Sequence, residues 1–247
     1  MFKVSVIIFP HCSVGEDQLL SLRDEACDEI SERFISAPGA LKFARYNRIA
    51  GGSPISAATG DGSIIGSEEY WFKSEAAARD FFSTNVFYST TSGQHPYLEA
   101  CVEIAGTVAP IWNTNLELNK ILILGSKKQE LSIQQYRDYW IGVHGPLAMR
   151  NPAARALRGR VEYCAADRSQ FTGLTLSMYD GIASIYFKES FERFRREMFN
   201  EYYRTVLAPD ELKFSDPNRC CAVVVEESRS YGDLFSCPRP GADIDNS

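Results

Sequence analysis

The segment Lys3-Val4-Ser5-Val6-Ile7-Ile8 has a counterpart in Lys120-Ile121-Leu122-Ile123-Leu124, and their first lysines are 117 positions apart. Both runs are short, apolar and rich in β-branched residues, so each predicts a β-strand. Tyr46 and Tyr163 are again 117 positions apart and lie at the start of a further predicted strand in each half. Because the matches keep one order along the chain, we interpret the sequence as one unit present twice.

Each half predicts the order strand, helix, two strands, helix, strand. The pair Asp180-Gly181 matches Asp61-Gly62, and Tyr186–Ser190 matches Tyr70–Ser74. A βαββαβ unit is the ferredoxin-like pattern, whose antiparallel sheet carries helices on one face only. The uncovered faces of two such sheets can cover each other. We therefore predict an α+β fold in which two tandem ferredoxin-like repeats pack their sheets as a dimeric α+β barrel.

The predicted domains are an N-terminal repeat over residues 1–112, a linker over 113–119, a C-terminal repeat over 120–228 and an extended tail over 229–247. In the first repeat we expect helices near 16–34 and 74–82 and a fourth strand near 100–108. In the second repeat, one helix begins after Ser132, a typical N-cap residue, and ends at Gly145-Pro146, because proline cannot continue a helix. The next helix begins near Ser190.

The composition excludes several classes of protein. The chain has 247 residues, of which 45% are hydrophobic and 23% charged, as in globular domains. A net charge of −6 argues against nucleic acid as a partner. No apolar run is long enough to predict a membrane span. The seven cysteines lack CxxC spacing, so we expect a reduced, cytoplasmic protein without a bound metal.

His144 lies at the end of the helix predicted after Ser132. Helical spacing places Arg137, Trp140 and His144 on one face of that helix. Imidazole titrates near neutral pH, so His144 is a candidate acid or base. A histidine at a helix end can also cap carbonyl groups and interact with the helix dipole, so a purely structural role stays open.

The run Tyr139-Trp140, followed by His144-Gly145-Pro146-Leu147, resembles the EthD family of dimeric α+β barrel proteins. The preceding strand at Lys120 and the segments Asp180–Phe187 and Asp210–Asp216 resemble the same family, so the resemblance runs from about Lys120 to Ser228. It implies that His144 lies in a substrate pocket, as in relatives of this fold that isomerise lactones or decarboxylate and dehydrate aromatic polyketides. No other catalytic position carries over.

The first repeat lacks this histidine segment. Cys27 occupies the position equivalent to His144, acidic residues flank it, and no Gly-Pro-Leu follows. Nearby negative charge disfavours a thiolate, so we do not expect Cys27 to be reactive. We expect the first repeat to serve as a scaffold and the second to bear the site.

The predicted catalytic acid or base is His144. The side chains predicted to stabilise a developing oxyanion beside it are Tyr139, Tyr163 and Arg137. The residues predicted to bind substrate are Trp140, Tyr136, Tyr186 and Asp180. Aromatic residues at such spacings also form cores, and an Asp-Gly pair before a strand is also ordinary turn chemistry.

The leading functional hypothesis is a cofactor-free lyase or isomerase. It would act by proton transfer on a small oxygenated carbonyl compound, a lactone or an aromatic polyketide metabolite. One alternative is a haem-binding barrel of the chlorite-dismutase-like type, with His144 as the iron ligand. A cofactor-free monooxygenase and a non-enzymatic binder of hydrophobic ligands are two more. The expected partner is a small-molecule substrate, with no nucleic acid or membrane, and a homodimer stays open.

Overall fold

The computed structural model describes residues 1–10, 12–49, 64–84, 100–113, 119–154, 158–166, 169–187 and 190–232. At 25–29, 112–113 and 158–160 only the backbone is described. Residues 114–118 of the predicted linker, the predicted tail beyond Gly232, Asp61-Gly62 and the side chain of Cys27 therefore lie outside the described residues.

The first half of the chain follows the predicted order of elements. They are β1 (Phe2–Ile8), α1 (Glu16–Ser36), β2 (Ala40–Arg48), β3 (Gly66–Phe72), α2 (Glu75–Thr84) and β4 (Cys101–Asn113). Alternate strand side chains point to opposite faces of a sheet. Val4, Val6 and Ile8 of β1 accordingly pack with Phe34 of α1 and Phe82 of α2 in one core cluster.

The second half begins with the same order and adds helical segments. Its elements are β5 (Asn119–Gly125), α3 (Ile133–Tyr139), a π-helical turn (Trp140–His144), α4 (Gly145–Ala148), β6 (Arg158–Ala165), β7 (Thr175–Leu176), β8 (Gly181–Phe187), α5 (Phe191–Met198), a second π-helical turn (Tyr203–Leu207), α6 (Ala208–Phe214), a 3₁₀ turn (Pro217–Arg219) and β9 (Cys221–Gly232). Ser132 caps α3 by accepting from the backbone N–H of Gln135, and Ser190 caps α5 in the same way. Both predicted helix starts are confirmed.

Within the described residues, eight strands close into one antiparallel barrel in the order β1-β3-β2-β9-β5-β8-β6-β4, with β4 pairing back onto β1. In each half the spatial order is fourth, first, third, second strand, which is the ferredoxin-like order. The halves join through β2 with β9 and through β4 with β6. The short β7 pairs with β4 in parallel. The predicted α+β barrel is confirmed, whereas the division into domains stays a prediction.

Two strands run further than the sequence predicts. The fourth strand is expected near 100–108, but β4 runs to Asn113 because its second part pairs with β6 of the other half. The last strand, β9, continues to Gly232 by pairing with β2 across a bulge. Closing the barrel requires both strands to be long, since each pairs with a neighbour in both halves. No segment of the described helices is long and apolar enough to span a bilayer.

The barrel interior contains a buried ionic cluster. Lys3 and Lys120, at equivalent positions in the two halves, lie 3.5 Å and 2.8 Å from carboxylate oxygens of Glu69, and all three side chains are fully buried. The ammonium of Lys120 also lies 3.2 Å from the ring centre of Tyr46. Burial lowers the pKa of Lys120 to about 8, although Glu69 opposes this shift. The ion pair between Lys120 and Glu69 therefore bridges the two halves at some cost in desolvation.

This cluster predicts an unusual alkaline dependence of stability. Between about pH 8 and pH 9.5 the unfolded chain holds the Lys120 proton while the folded chain releases it, so stability rises with pH. We expect the free energy of unfolding of the natural protein to rise over this range relative to that of Lys120→Met, in urea denaturation at several pH values. If the free energy of unfolding changed with pH in the same way for both proteins, the lowered pKa of Lys120 would be contradicted.

Candidate active site

A cavity of about 580 Å³ lies on the outer face of the second half's sheet, beneath its helices. Its floor is formed by β5 and β8, and its walls by α3, α5, α6 and both π-helical turns. Its lining includes the polar and aromatic side chains of Tyr136, Trp140, His144, Tyr163, Tyr203, Arg204, Glu211 and Phe214. Most of the remaining lining is aliphatic or aromatic, so the cavity suits an apolar ligand.

His144 is held by a buried carboxylate from a distant part of the chain. Its Nδ1 lies 3.0 Å from Oδ2 of Asp210, and the histidine and the aspartate are 6% and 2% exposed. Asp210 sits in the first turn of α6 and also accepts from the hydroxyl of Tyr139 at 2.6 Å and from Nζ of Lys213 at 3.1 Å. The contact joins the π-helical turn at His144 to the helix that covers the cavity.

The charge of Asp210 determines which ring nitrogen of His144 carries a proton. Burial raises the pKa of Asp210, but the hydrogen bonds from Tyr139, His144 and Lys213 outweigh burial and hold it below its usual value. An ionised carboxylate can only accept hydrogen bonds, so Nδ1 of His144 must carry a proton. In the neutral ring Nε2 is then the basic nitrogen. This is the arrangement of a general base oriented by a carboxylate.

Aromatic rings enclose the imidazole. The rings of Trp140 and Tyr163 stack with centroids 4.6 Å apart and an interplanar angle of 13°. The His144 ring lies 5.0 Å from that of Phe214 and 6.4 Å from that of Tyr163. Low polarity around a charge-bearing site strengthens each electrostatic contact within it.

The helix was expected to end at Gly145-Pro146, and this prediction is wrong. The chain widens into a π-helical turn, in which the N–H of Gly145 donates to the carbonyl of Trp140, and then continues as α4 to Ala148. Pro146 sits in the first turn of α4, directly after the π-helical turn. π-Helical turns often mark functional sites, and both turns described here line the cavity.

Gly181 makes room for Trp140. A Cβ at this position would lie 2.4 Å from Cζ3 of the indole and 3.1 Å from the carbonyl oxygen of Cys164. We expect Gly181→Ala to lower the free energy of unfolding by about 1–3 kcal/mol through overpacking, and to displace Trp140, as measured by urea denaturation and tryptophan fluorescence. Gly142→Ala is the matched control, since its Cβ would meet nothing within 4 Å. Equal stability of Gly181→Ala and the natural protein would count against this role.

The structure brings together half of the predicted site residues. His144, Trp140, Tyr136 and Tyr163 all line the cavity. Tyr139 lies next to this group, but its hydroxyl donates to Asp210. Burial and this carboxylate raise the pKa of Tyr139, so the phenol stays protonated and orients Asp210.

Three other predicted residues lie elsewhere. Tyr186 points into the barrel, where its hydroxyl lies 3.4 Å from that of Tyr46, because alternation along β8 sends it to the face opposite the cavity. Asp180 accepts from the backbone N–H of Lys127 at 2.9 Å, so its carboxylate ties the start of β8 to the segment that follows β5. Arg137 is half-buried and does not line the cavity, since the helix turns it away from the buried face of Tyr136 and Trp140.

Asp210 was not predicted as a site residue. Sequence reasoning expected no helix between α5 and the last strand, although Pro209 followed by two acidic residues is a typical helix start. Within the described residues, no group of three or more His, Cys, Asp or Glu side chains is arranged to hold a metal ion.

Comparisons with known proteins agree with this fold. Residues 128–218, which include His144 and Asp210, match the EthD domain model. An anthrone oxidase-like protein shares 8% identity, with 93% of this chain and 92% of that chain covered and a TM-score of 0.60. A proposed monooxygenase of Fusobacterium nucleatum shares 6% identity, with 94% and 93% covered and a TM-score of 0.51.

A chlorite dismutase variant from Candidatus Nitrospira defluvii shares 12% identity, with 92% of each chain covered and a TM-score of 0.49. A search of curated proteins found no match to the sequence. At these identities, the two neighbours with TM-scores of 0.60 and 0.51 establish the fold alone. The chain thus has the fold of the dimeric α+β barrel proteins and carries an EthD-type match across the helices that form the walls of the cavity.

Proposed function

We propose that the protein is a cofactor-free enzyme that removes a proton from an apolar carbonyl compound, with His144 as the general base. The observation that carries this proposal is the hydrogen bond between Nδ1 of His144 and the buried carboxylate of Asp210, at the wall of an apolar cavity. A histidine that only capped its own helix would bond the carbonyl groups at the helix end. It would not need a buried carboxylate from α6. Positioned bases of this kind contribute about 10²- to 10⁴-fold to rate.

The reaction begins when Nε2 of His144 takes a proton from a carbon conjugated with the substrate carbonyl. The electron pair of the broken C–H bond moves into the carbonyl system, and the oxygen becomes an enolate. Asp210 stabilises the imidazolium that forms. Return of the proton to another carbon gives isomerisation, and expulsion of hydroxide from the carbon β to the carbonyl, protonated by the imidazolium to water, gives dehydration. In a β-keto acid the electron pair of the breaking C–C bond moves into the same carbonyl as carbon dioxide leaves, and the resulting enolate takes a proton from His144. Reaction of the enolate with oxygen gives monooxygenation.

Anthrone is a suitable first substrate, since a structural neighbour is described as anthrone oxidase-like and anthrone has an acidic methylene conjugated with its ketone through two fused aromatic rings. Its oxidation consumes one O₂ and yields anthraquinone and water. We expect the protein to accelerate anthrone consumption in air, and His144→Gln to lose that acceleration. If the reaction consumes O₂, as measured with an oxygen electrode, the reaction is monooxygenation and not isomerisation or a lyase reaction. Equal acceleration by His144→Gln would overturn the proposed role of the base.

Haem binding is a second candidate, favoured by the same hydrogen bond. A histidine that ligates a metal commonly donates its other ring nitrogen to a carboxylate, as His144 does to Asp210. His144 would hold the iron, and the cation of Arg204 at the cavity could pair with a propionate. Bound haem would supply redox chemistry. A Soret band that shifts when haemin is added, and does not shift in His144→Gln, supports this candidate, and an unshifted band in both proteins excludes it.

A further inference from the structure

Tyr136 presents a buried hydroxyl to the cavity. The residue is 1% exposed and lines the cavity, and its hydroxyl makes no hydrogen bond with any residue that the structure describes. Its ring is fixed by contacts with Trp140 and Phe214, at centroid distances of 5.2 Å and 5.7 Å. A buried polar group without a protein partner is costly unless a water or a ligand satisfies it.

Neighbouring tyrosines use their hydroxyls differently. Tyr139 donates to Asp210, Tyr203 donates to Glu211 at 3.1 Å, and Tyr202 donates to the carbonyl of Leu147 at 3.2 Å. Each of these hydroxyls therefore stabilises the helices around the cavity. The hydroxyl of Tyr136 has no such structural task, so it is available to a ligand.

We infer that Tyr136 is a further catalytic residue of this site, whose hydroxyl donates a hydrogen bond to the substrate oxygen that becomes negative when His144 removes the proton. The inference rests on the proposed function and extends it. Burial raises the pKa of Tyr136 well above its usual value, so the group remains a protonated donor at neutral and moderately alkaline pH. A preorganised donor aimed at a developing oxyanion is among the strongest contributions that an apolar site can make.

The spacing of the two groups restricts the substrate. The rings of Tyr136 and His144 both contact that of Phe214, at centroid distances of 5.7 Å and 5.0 Å, and the stacked rings of Trp140 and Tyr163 lie beside them. A substrate that contacts both side chains therefore lies among aromatic rings, and charge created next to His144 passes to an oxygen held by Tyr136 through a conjugated system. The substrate class is therefore a planar, conjugated ring ketone or phenol and not a short aliphatic lactone.

The test compares two fused-ring ligands that differ only in their hydroxyls. We expect Tyr136→Phe to weaken binding of 2,6-dihydroxynaphthalene about tenfold, the value of one hydrogen bond, and to leave binding of naphthalene unchanged, by calorimetry or fluorescence titration. The melting temperature should not fall, because no protein partner is lost. Tyr202→Phe is the matched control: it removes a hydroxyl bonded to Leu147, so it should lower the melting temperature and leave both affinities unchanged.

Three results would overturn the inference: equal losses for both ligands, no loss for either, or failure of both ligands to bind the natural protein. If Tyr136→Phe lowered the melting temperature but left the ratio of the two ligand affinities unchanged, the hydroxyl would have a structural role instead. These readouts do not require turnover. A protein in which Tyr136 holds the hydroxyl ligand but His144→Gln keeps full activity would leave Tyr136 as a ligand-binding donor and remove the proposed base.

Discussion

Replacing His144 by glutamine is expected to lower turnover of anthrone by about 10²- to 10⁴-fold, the contribution of a positioned general base. Glutamine can still donate a hydrogen bond toward Asp210, so the buried carboxylate keeps three donors, yet glutamine cannot accept a substrate proton at neutral pH. The melting temperature should change by no more than about 3 °C. Initial rates and thermal unfolding of the same preparations measure both effects.

Asp138→Asn is the control for this variant. Asp138 is exposed on α3, where it accepts from Gln134, so its change should leave turnover as in the natural protein. If His144→Gln lost stability severely while its activity fell only in proportion to the folded fraction, His144 would be a structural cap at the helix end.

Asp210→Asn is expected to produce the second large loss, with kcat reduced by about 10²- to 10⁴-fold and KM changed little. An amide can donate as well as accept, so the variant no longer compels Nδ1 of His144 to carry the proton, and it no longer stabilises the imidazolium. Asp210 is a positioning residue, because it acts through His144 and does not line the cavity. A loss confined to KM would show that Asp210 merely shapes the cavity.

The same variant makes a prediction about acid stability. The pKa of Asp210 is lower in the folded chain than its usual value, so the ionised carboxylate stabilises the fold above the unfolded value near about pH 4. That contribution is lost as the pH falls through the folded pKa. The difference in free energy of unfolding between the natural protein and Asp210→Asn should therefore be largest above about pH 5 and shrink toward about pH 2. A difference that does not change with pH would contradict the lowered pKa.

The sequence predicts the fold well because strand patterns are local. The runs at Lys3 and Lys120 mark the first strand of each half, and both lysines face the barrel interior at equivalent positions. The ferredoxin-like order and the covering of one sheet by the other follow from the need to bury both faces. The ends of β4 and β9 were not predictable, since the pairing that extends them comes from strands of the opposite half.

The site is only partly predictable from the sequence, because its geometry depends on two π-helical turns. The spacing of apolar residues does not reveal such turns. Tyr136, Trp140 and His144 follow helical spacing and do line the cavity, whereas Tyr186 was assigned to it although strand alternation places it on the other face. Arg137 follows the spacing but lies outside the lining. Neither π-helical turn has a signature in the apolar pattern of the sequence.

Asp210 is the clearest example of a site residue that sequence patterns do not predict. It lies 66 positions after His144, on a helix that the apolar pattern did not indicate, and only folding brings its carboxylate to Nδ1. Its segment resembled the EthD family, but the resemblance gave it no role. Long-range polar pairs of this kind carry no periodic signal, so they are found from coordinates.

The most direct measurement is the tautomer of His144, determined by ¹⁵N NMR of the imidazole at a pH where the ring is neutral, with His144→Gln identifying its signals among the three histidines. We predict a proton on Nδ1 and an unprotonated Nε2, and we predict that Asp210→Asn weakens this preference. A neutral ring protonated on Nε2 in the natural protein would contradict the proposed role of His144, because Nδ1 could not then donate to Asp210 and Nε2 could not act as the base.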